Sequence, residues 1–383
     1  MSAPVELSRD EARRFLVRHH GLDRPARARG VRGVRGVLEA SRCIQLDPLD
    51  AIGTNADLVA LARVDGCHKG DVYRALLPGH AFEHFAKERC LLPAAAFPYY
   101  RDRAVETPWW RLAERSRKVP SSVLDAVRAE VRERGPITSA ALTDHGAVEA
   151  MDWSGWKGTG RMTTMALEIS WTRCELVVAG RTSGGAKLYD VPERALPAHH
   201  DAPAPEPFHR WALLERVRAA GLMSTATGPL WGMLREVRGE LPRALVEEGA
   251  LVEVLVEGSR RRYLARPPIA LPRGAPDERL RILGPLDPLV WDRDLVAHAF
   301  GFDYVWEVYK PAAQRRWGWY VCPLLHRGHL VGRLEARVAD GRLVVDRVWP
   351  EARGALDPRA LRDALERHAE ALGVEPPKRV RVR

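Results

Sequence analysis

The sequence lacks the features that mark several large classes of protein. No run of about 18 apolar residues occurs, so no conventional membrane-spanning helix is expected. The N-terminal stretch MSAPVELSRDEARR has no apolar signal-peptide core, and a place in the cytoplasm or on a bacterial nucleoid is expected. Cysteine is scarce: Cys43, Cys67, Cys90, Cys174 and Cys322 are odd in number, widely spaced and form no C-x-x-C pair. Reduced, mostly buried thiols are therefore expected, not a disulfide framework or a zinc site. His80 and His84 have the spacing of one helical face, but no third ligand stands near them, and neither metal nor cofactor is expected. No P-loop, dinucleotide fingerprint or nucleophile elbow is present. Two residue types are nearly missing: glutamine occurs only at Gln45 and Gln314, and lysine only seven times among 60 basic residues.

What is present describes a globular protein with a basic surface. With 383 residues, 46% hydrophobic and 29% charged, the chain can build two to four domains with real cores. A net charge of +10 points to a polyanion, most commonly nucleic acid. The excess of arginine over lysine is also what a high-GC genome produces everywhere, so charge alone is a weak guide.

Four blocks follow one another, at 1–118, 119–201, 202–270 and 271–383. In the first, Ser8 and Glu11 form a capping-box pattern that predicts a helix over 8–20. A basic stretch follows, with Arg24, Arg27, Arg29, Arg32 and Arg35, then CIQLDPLDAIGTNADLVALARV and a segment AFEHFAKERCLLP read as helical. The second block opens with an amphipathic helix, Ser121–Arg134, whose Val123, Ala126, Val127 and Val131 form one stripe. A short strand and helix come next in GPITSAAL, then a helix over 161–173 and a hairpin in LVVAGRTSGGAKLYDV. Helix, strand, helix, helix and two-stranded hairpin is the order of a winged helix. After the linker APAPEPF the third block repeats that order, with helices over 208–219 and 242–248 and a hairpin in LVEVLVEGSRRRYLA. The last block follows PPIALPRGAPDE. There VWEVYKP, GWYVCPLLHRGHLVGRLEARV and GRLVVDRVWP read as an antiparallel meander, with a helix over 359–372 behind it. Trp291, Trp306, Trp317, Trp319 and Trp349 are expected as core or sheet aromatics. The fold class expected is α+β, with tandem winged-helix units followed by an antiparallel C-terminal β-domain.

One small polar constellation can carry chemistry. In Ile44-Gln45-Leu46-Asp47 the apolar and polar residues alternate, so on a strand Gln45 and Asp47 share one face. A carboxylate beside an amide can hold one water between them, and an ionised Asp47 can orient or deprotonate it and oppose positive charge. The triplet by itself is common, and Asp47-Pro48 is also a good turn starter.

The stretches CIQLDPLDAIGTNADLVALARV and AFEHFAKERCLLP resemble the first domain of the YcaQ/AlkZ-type winged-helix DNA glycosylases. The resemblance continues in WSGWKGTGRMTTMALEISWTRCELVVAGR, in LGPLDPLVWDRDLVAHAFGFDYVWEVYKPAAQRRWGWYVCPLL and in HLVGRLEARV, from about residue 8 to 375. It implies three winged-helix units, a C-terminal β-domain and hydrolysis of the N-glycosidic bond of N-alkylated purines, with unhooking of interstrand crosslinks in some members. It also implies a catalytic pair, Gln-x-Asp or Gln-x-Gln, and Gln45 and Asp47 place the chain with the YcaQ-like Gln-x-Asp branch. Two stretches depart from the family: Ala62 precedes Arg63 where serine is frequent, and Lys87-Glu88-Arg89 stands where residues are often more apolar.

The chemistry agrees. An N7-alkylated purine is already cationic and leaves as a neutral base without a general acid, so one of the two carboxylates of a glycoside hydrolase is dispensable. A monofunctional glycosylase acting on double-stranded DNA is therefore expected, without an obligate protein partner. The alternative is a winged-helix transcription regulator with no catalysis, or a protein that only coats damaged DNA. Expected DNA contacts are Arg181 and Lys187 in one hairpin, Arg260, Arg261 and Arg262 in the other, Trp156 and Lys157 before the third helix of the second block, and Asn55 and Arg63 near the catalytic strand.

Overall fold

The computed structural model describes residues 3–24, 28–103, 112–149, 158–352 and 356–380. These form an α+β structure, in which the chain builds two compact units: residues 1–72, 86–90 and 209–383 make one, and 73–85 with 91–208 the other. All five cysteines are buried and free, as the spacing implied. Among the described residues no helix is long and apolar enough to cross a membrane, and no group of metal-ligating side chains occurs.

The larger unit contains two four-stranded sheets. In the first, the hairpin of Val252–Val256 and Arg262–Ala265 is flanked by Met223–Ser224 and, in parallel, by the N-terminal strand Val5–Leu7. The helix Arg9–His19 follows that strand, and the expected capping box is present, with Ser8 and Glu11 each bonding the other's backbone N–H. Its apolar side, Ala12, Phe15 and Leu16, joins Val254, Tyr263, Leu295 and Phe302 in one core. The second sheet runs Arg281–Ile282, Val321–His326, His329–Ala339 and Arg342–Pro350, all antiparallel. Helix Pro358–Leu372, N-capped by Asp357, supplies Leu361 and Leu365 to the second core with Ile52, Leu58, Cys322 and Leu334.

Two expectations are corrected here. VWEVYKP is not a strand. The buried Glu307 carboxylate accepts the Arg316 and Trp317 backbone N–H groups (3.1 and 2.7 Å) and the Lys310 ammonium (2.8 Å), which folds the segment into a loop. The place beside Val321–His326 goes to Arg281–Ile282. The segment 81–93 is not helical either: it forms strands Ala81–Phe85 and Arg89–Pro93 with a turn at 86–88, closed by Ala86 N–H to Glu88 O (2.8 Å). Aromatic residues at 82 and 85 favour the pleat, so the i, i+4 spacing of His80 and His84 has no helical meaning.

The smaller unit packs helices Ser121–Arg134 and Met162–Thr172 with a sheet of Ile137–Thr138, Lys187–Asp190 and Val177–Arg181. Trp171 donates its indole N–H to Glu83 O (2.9 Å), and the His84 imidazole bonds Thr172 O (3.0 Å).

Candidate functional site

Gln45 and Asp47 lie in the larger unit, at the end of the two-residue strand Ile44–Gln45. The ladder runs one residue further, with Leu46 N–H donating to Arg89 O (2.8 Å). Asp47 then leaves the strand and opens a turn, its Oδ1 accepting Leu49 N–H (2.9 Å). The strand and the turn starter read from the sequence are thus consecutive uses of one segment. The turn is anchored onward: Val338 N–H donates to Ala51 O (3.0 Å) and His368 Nε2–H to Ile52 O (2.8 Å). Burial lowers the His368 pKa and keeps the ring neutral for that bond.

Gln45 is buried. Its backbone carbonyl accepts the Asn55 side-chain N–H (2.8 Å), and the Asn55 Oδ1 accepts Leu286 N–H (3.1 Å). Asn55 is the first residue of helix Asn55–Leu61, whose N-cap Thr54 forms a capping box with Asp57. Its amide therefore bridges the strand Ile44–Gln45 to the segment 284–286. A Cβ on Gly284 would lie 2.4 Å from the Asn55 Oδ1, so the bridge requires glycine there. Arg63 serves the same segment. Its guanidinium grips Asp287 with two bonds (2.7 and 2.9 Å) and also donates to His20 O and Val59 O. Asn55 is 0% and Arg63 5% exposed. The expectation that these two reach DNA is corrected: their hydrogen-bonding groups are turned inward, those of Asn55 onto Gln45 and Leu286 and those of Arg63 onto Asp287, His20 and Val59.

The Gln45 side chain meets a residue that sequence reasoning passed over as a family departure. Lys87 donates from Nζ to Gln45 Oε1 (2.9 Å), and the same Nζ lies 5.4 Å from the centre of the Trp291 ring. Burial, reinforced by the Arg293 charge, pulls the Lys87 pKa down to about 8. Trp291 and Arg293 are held by the segment that binds Asn55 and Arg63, through Leu286 O (2.8 Å) and Pro285 O (2.8 Å) respectively. Nothing local in the sequence marks this set, because its members are some 200 residues apart.

Asp47 is half-buried and has no ion pair among the described residues, whereas Asp50, three residues on, pairs with Lys69 (2.5 Å). Burial raises the Asp47 pKa and the Leu49 N–H opposes the shift. Tyr309 and Tyr320 both feel its charge. Tyr309 is 69% exposed; Tyr320 is buried with a hydroxyl that has no hydrogen-bond partner among the described residues.

The expected DNA contacts fare unequally. Arg181 and Lys187 form the last pair of their hairpin ladder. The Arg181 guanidinium is turned onto the buried Glu83 carboxylate and the Tyr73 ring, so its charge is met within the smaller unit. Lys187 Nζ lies 6.0 Å from the Trp171 ring centre. In the other hairpin, Arg261 pairs with Asp294 and Arg262 with Glu253 (2.8 Å), while Arg260 is exposed and has no ion pair among the described residues. Trp156 and Lys157 lie outside the described residues. Cavities of about 490 Å³ beside Arg101 and Arg128 and about 330 Å³ beside Arg29 and Arg281 are not lined by Gln45 or Asp47.

The solved DNA glycosylase AlkZ of Streptomyces sahachiroi has the same fold, with a TM-score of 0.62 over 99% of this chain and 100% of that one, at 18% identity. The family described as DNA glycosylase AlkZ-like matches residues 38–373, a span that holds Gln45, Asp47, Lys87 and the whole 284–293 segment. The chain belongs to the AlkZ-like DNA glycosylase family.

Proposed function

We propose that this glycosylase hydrolyses the N-glycosidic bond of cationic N-alkylated purines in double-stranded DNA, with Gln45 and Asp47 as its catalytic pair in the Gln-x-Asp manner. The observation that carries this reading is the Asp47 carboxylate: a half-buried anion to which the described residues supply one N–H and no ion-pair partner. Positive charge then comes from the substrate. As the bond to an N7-alkylated purine breaks, charge moves from the base to the sugar, and a preorganised anion in a poorly solvated place stabilises it. Asp47 Oδ2 is left to orient or deprotonate the attacking water, and the Gln45 amide N–H₂ is left to bind that water or the sugar, since Lys87 occupies its oxygen. A nitrogen-mustard crosslink joins two such N7 atoms, so the same chemistry unhooks it without a second active group.

The tandem winged-helix reading, 1–118, 119–201 and 202–270 followed by a β-rich 271–383, belongs to this proposal. It is supported by the two basic hairpins and the helices before each. The test is base release from duplex carrying N7-methylguanine or a nitrogen-mustard crosslink, scored by cleavage of the abasic product. Asp47→Asn is expected to lower release by about 100-fold or more while duplex binding persists. Equal release by both proteins removes Asp47 from catalysis, and no release from any alkylated duplex favours a regulator.

A further inference from the structure

We propose that Lys87 gives this site a second, covalent activity beyond the monofunctional hydrolysis expected from the sequence: its amine condenses with the C1′ aldehyde of the abasic deoxyribose and opens the strand by β-elimination. The inference rests on the reading that the lesion sugar is held at Gln45 and Asp47. Lys87 Nζ lies 2.9 Å from Gln45 Oε1, so a C1′ placed for water held by Gln45 lies within the sweep of the long lysine side chain once that bond is released. Partly buried, with the Trp291 ring and Arg293 beside it, Lys87 has no ion pair among the described residues. Desolvation next to another cation is the arrangement that turns a lysine into a nucleophile, and a pKa of about 8 leaves a usable share of free amine near neutral pH. The residue type matters. Arginine would make the same bond to Gln45 and keep the charge, yet it cannot lose a proton or form an imine. In a chain with only seven lysines among 60 basic residues, one of them stands at this bond.

The steps balance without a further reagent. The free amine adds to the ring-opened C1′ aldehyde; water leaves, and a protonated imine joins Nζ to C1′. Asp47 takes the C2′ proton, the C–H electron pair forms the C2′–C3′ double bond, and the C3′–O bond breaks with its pair on the departing phosphate. Hydrolysis of the imine then returns Lys87 and leaves an unsaturated aldehyde on one strand end and a 5′-phosphate on the other.

The test uses the full chain and a duplex with one preformed abasic site, incubated with sodium borohydride to reduce any imine. A covalent protein–DNA adduct is expected, with the modified peptide containing Lys87, and without borohydride a nick ending in 5′-phosphate. Lys87→Arg, checked for folding by thermal melting, is expected to lower adduct by about tenfold or more, as loss of the covalent nucleophile requires. Asp47→Asn is expected to keep the adduct and lose most of the nick. No adduct from the wild type, or equal adduct from Lys87→Arg, overturns the proposal. Because the abasic duplex bypasses base removal, base release without adduct defeats this inference alone. Adduct without release from alkylated duplex defeats the glycosylase reading and leaves the lysine chemistry standing.

Discussion

Arg63 and Lys87 are both cations withdrawn from water in the same compact unit, and their surroundings are opposite. Arg63 has a bidentate carboxylate and two backbone carbonyls, and its partner Asp287 also accepts Leu289 N–H (3.0 Å). Lys87 has one amide oxygen, an aromatic face and a neighbouring guanidinium. The anions divide the same way, Asp287 satisfied and Asp47 left with a single N–H among the described residues. A buried charge whose bonds are complete can only hold structure; one whose bonds are incomplete keeps a capacity that a substrate can use. The first pair makes the frame, and the second belongs to the proposed site.

The largest effect that sharpens this contrast is in stability. Asp287→Ala leaves a buried guanidinium unpaired and is expected to cost about 3–5 kcal/mol, read as a lower midpoint in urea unfolding of the full chain. Lys87→Met removes a desolvated ammonium and keeps the apolar stem, so its midpoint is expected to stay or rise. Comparable losses from the two variants would break the distinction between frame and site.

Lys87 adds a dependence on pH. Its folded pKa, about 8, lies below its ordinary value of 10.5, so between those values the unfolded chain binds more protons than the folded one. Stability must then rise with pH across that window, by linkage. Unfolding midpoints measured at pH 8 and pH 10 are expected to show a gain in the wild type that Lys87→Met lacks. A parallel change in both proteins would assign the effect to other groups. Base release should respond on the acid side, where Asp47 takes up its proton at higher pH than an ordinary carboxylate. The rate should therefore fall as pH drops through that raised value, and an acid limb at the ordinary carboxylate pKa would contradict the burial argument.

A smaller effect is expected from Asp47→Asn on folding. The amide oxygen still accepts Leu49 N–H while the charge that burial opposes is gone, so unfolding should move by no more than about 0.5 kcal/mol, or toward greater stability. A loss of several kcal/mol would make Asp47 a frame residue after all.

How much of this was legible in the sequence follows from how far apart the partners are. The Ser8–Glu11 box, the helix Ser121–Arg134 and both basic hairpins are local patterns, and each formed where its residues predicted. Gln45 and Asp47 stood out as a triplet because alternation over four residues is also local. The strand Arg89–Pro93 was not: besides its neighbour Ala81–Phe85 across the turn, it pairs with the chain more than 40 residues earlier, which no helical or strand period within 81–93 reports. Asn55 was rightly singled out as a neighbour of the strand, but both it and Arg63 were assigned to DNA. Their true partners, Leu286 and Asp287, stand more than 220 residues away. Lys87 gave no signal beyond standing in a charged run where the resembled family is often more apolar.

The hairpin Val252–Val256 and Arg262–Ala265 offers the smallest and most local version of the same contrast. Three consecutive arginines occupy its end, and two are engaged: Arg261 by Asp294 and Arg262 by Glu253. Arg260 alone is exposed without an ion pair among the described residues. If an incomplete set of bonds marks capacity for a ligand, Arg260→Ala should weaken binding to every duplex sequence alike and lower the salt slope of affinity by about 1, as loss of one phosphate contact does. Arg262→Ala should change the slope less, because Arg262 must first give up its carboxylate to meet a phosphate. Fluorescence anisotropy across a salt titration measures both. Equal slopes for the wild type and Arg260→Ala would remove this hairpin from the DNA interface, and a larger change from Arg262 than from Arg260 would show that pairing in the free protein does not predict which charges DNA recruits.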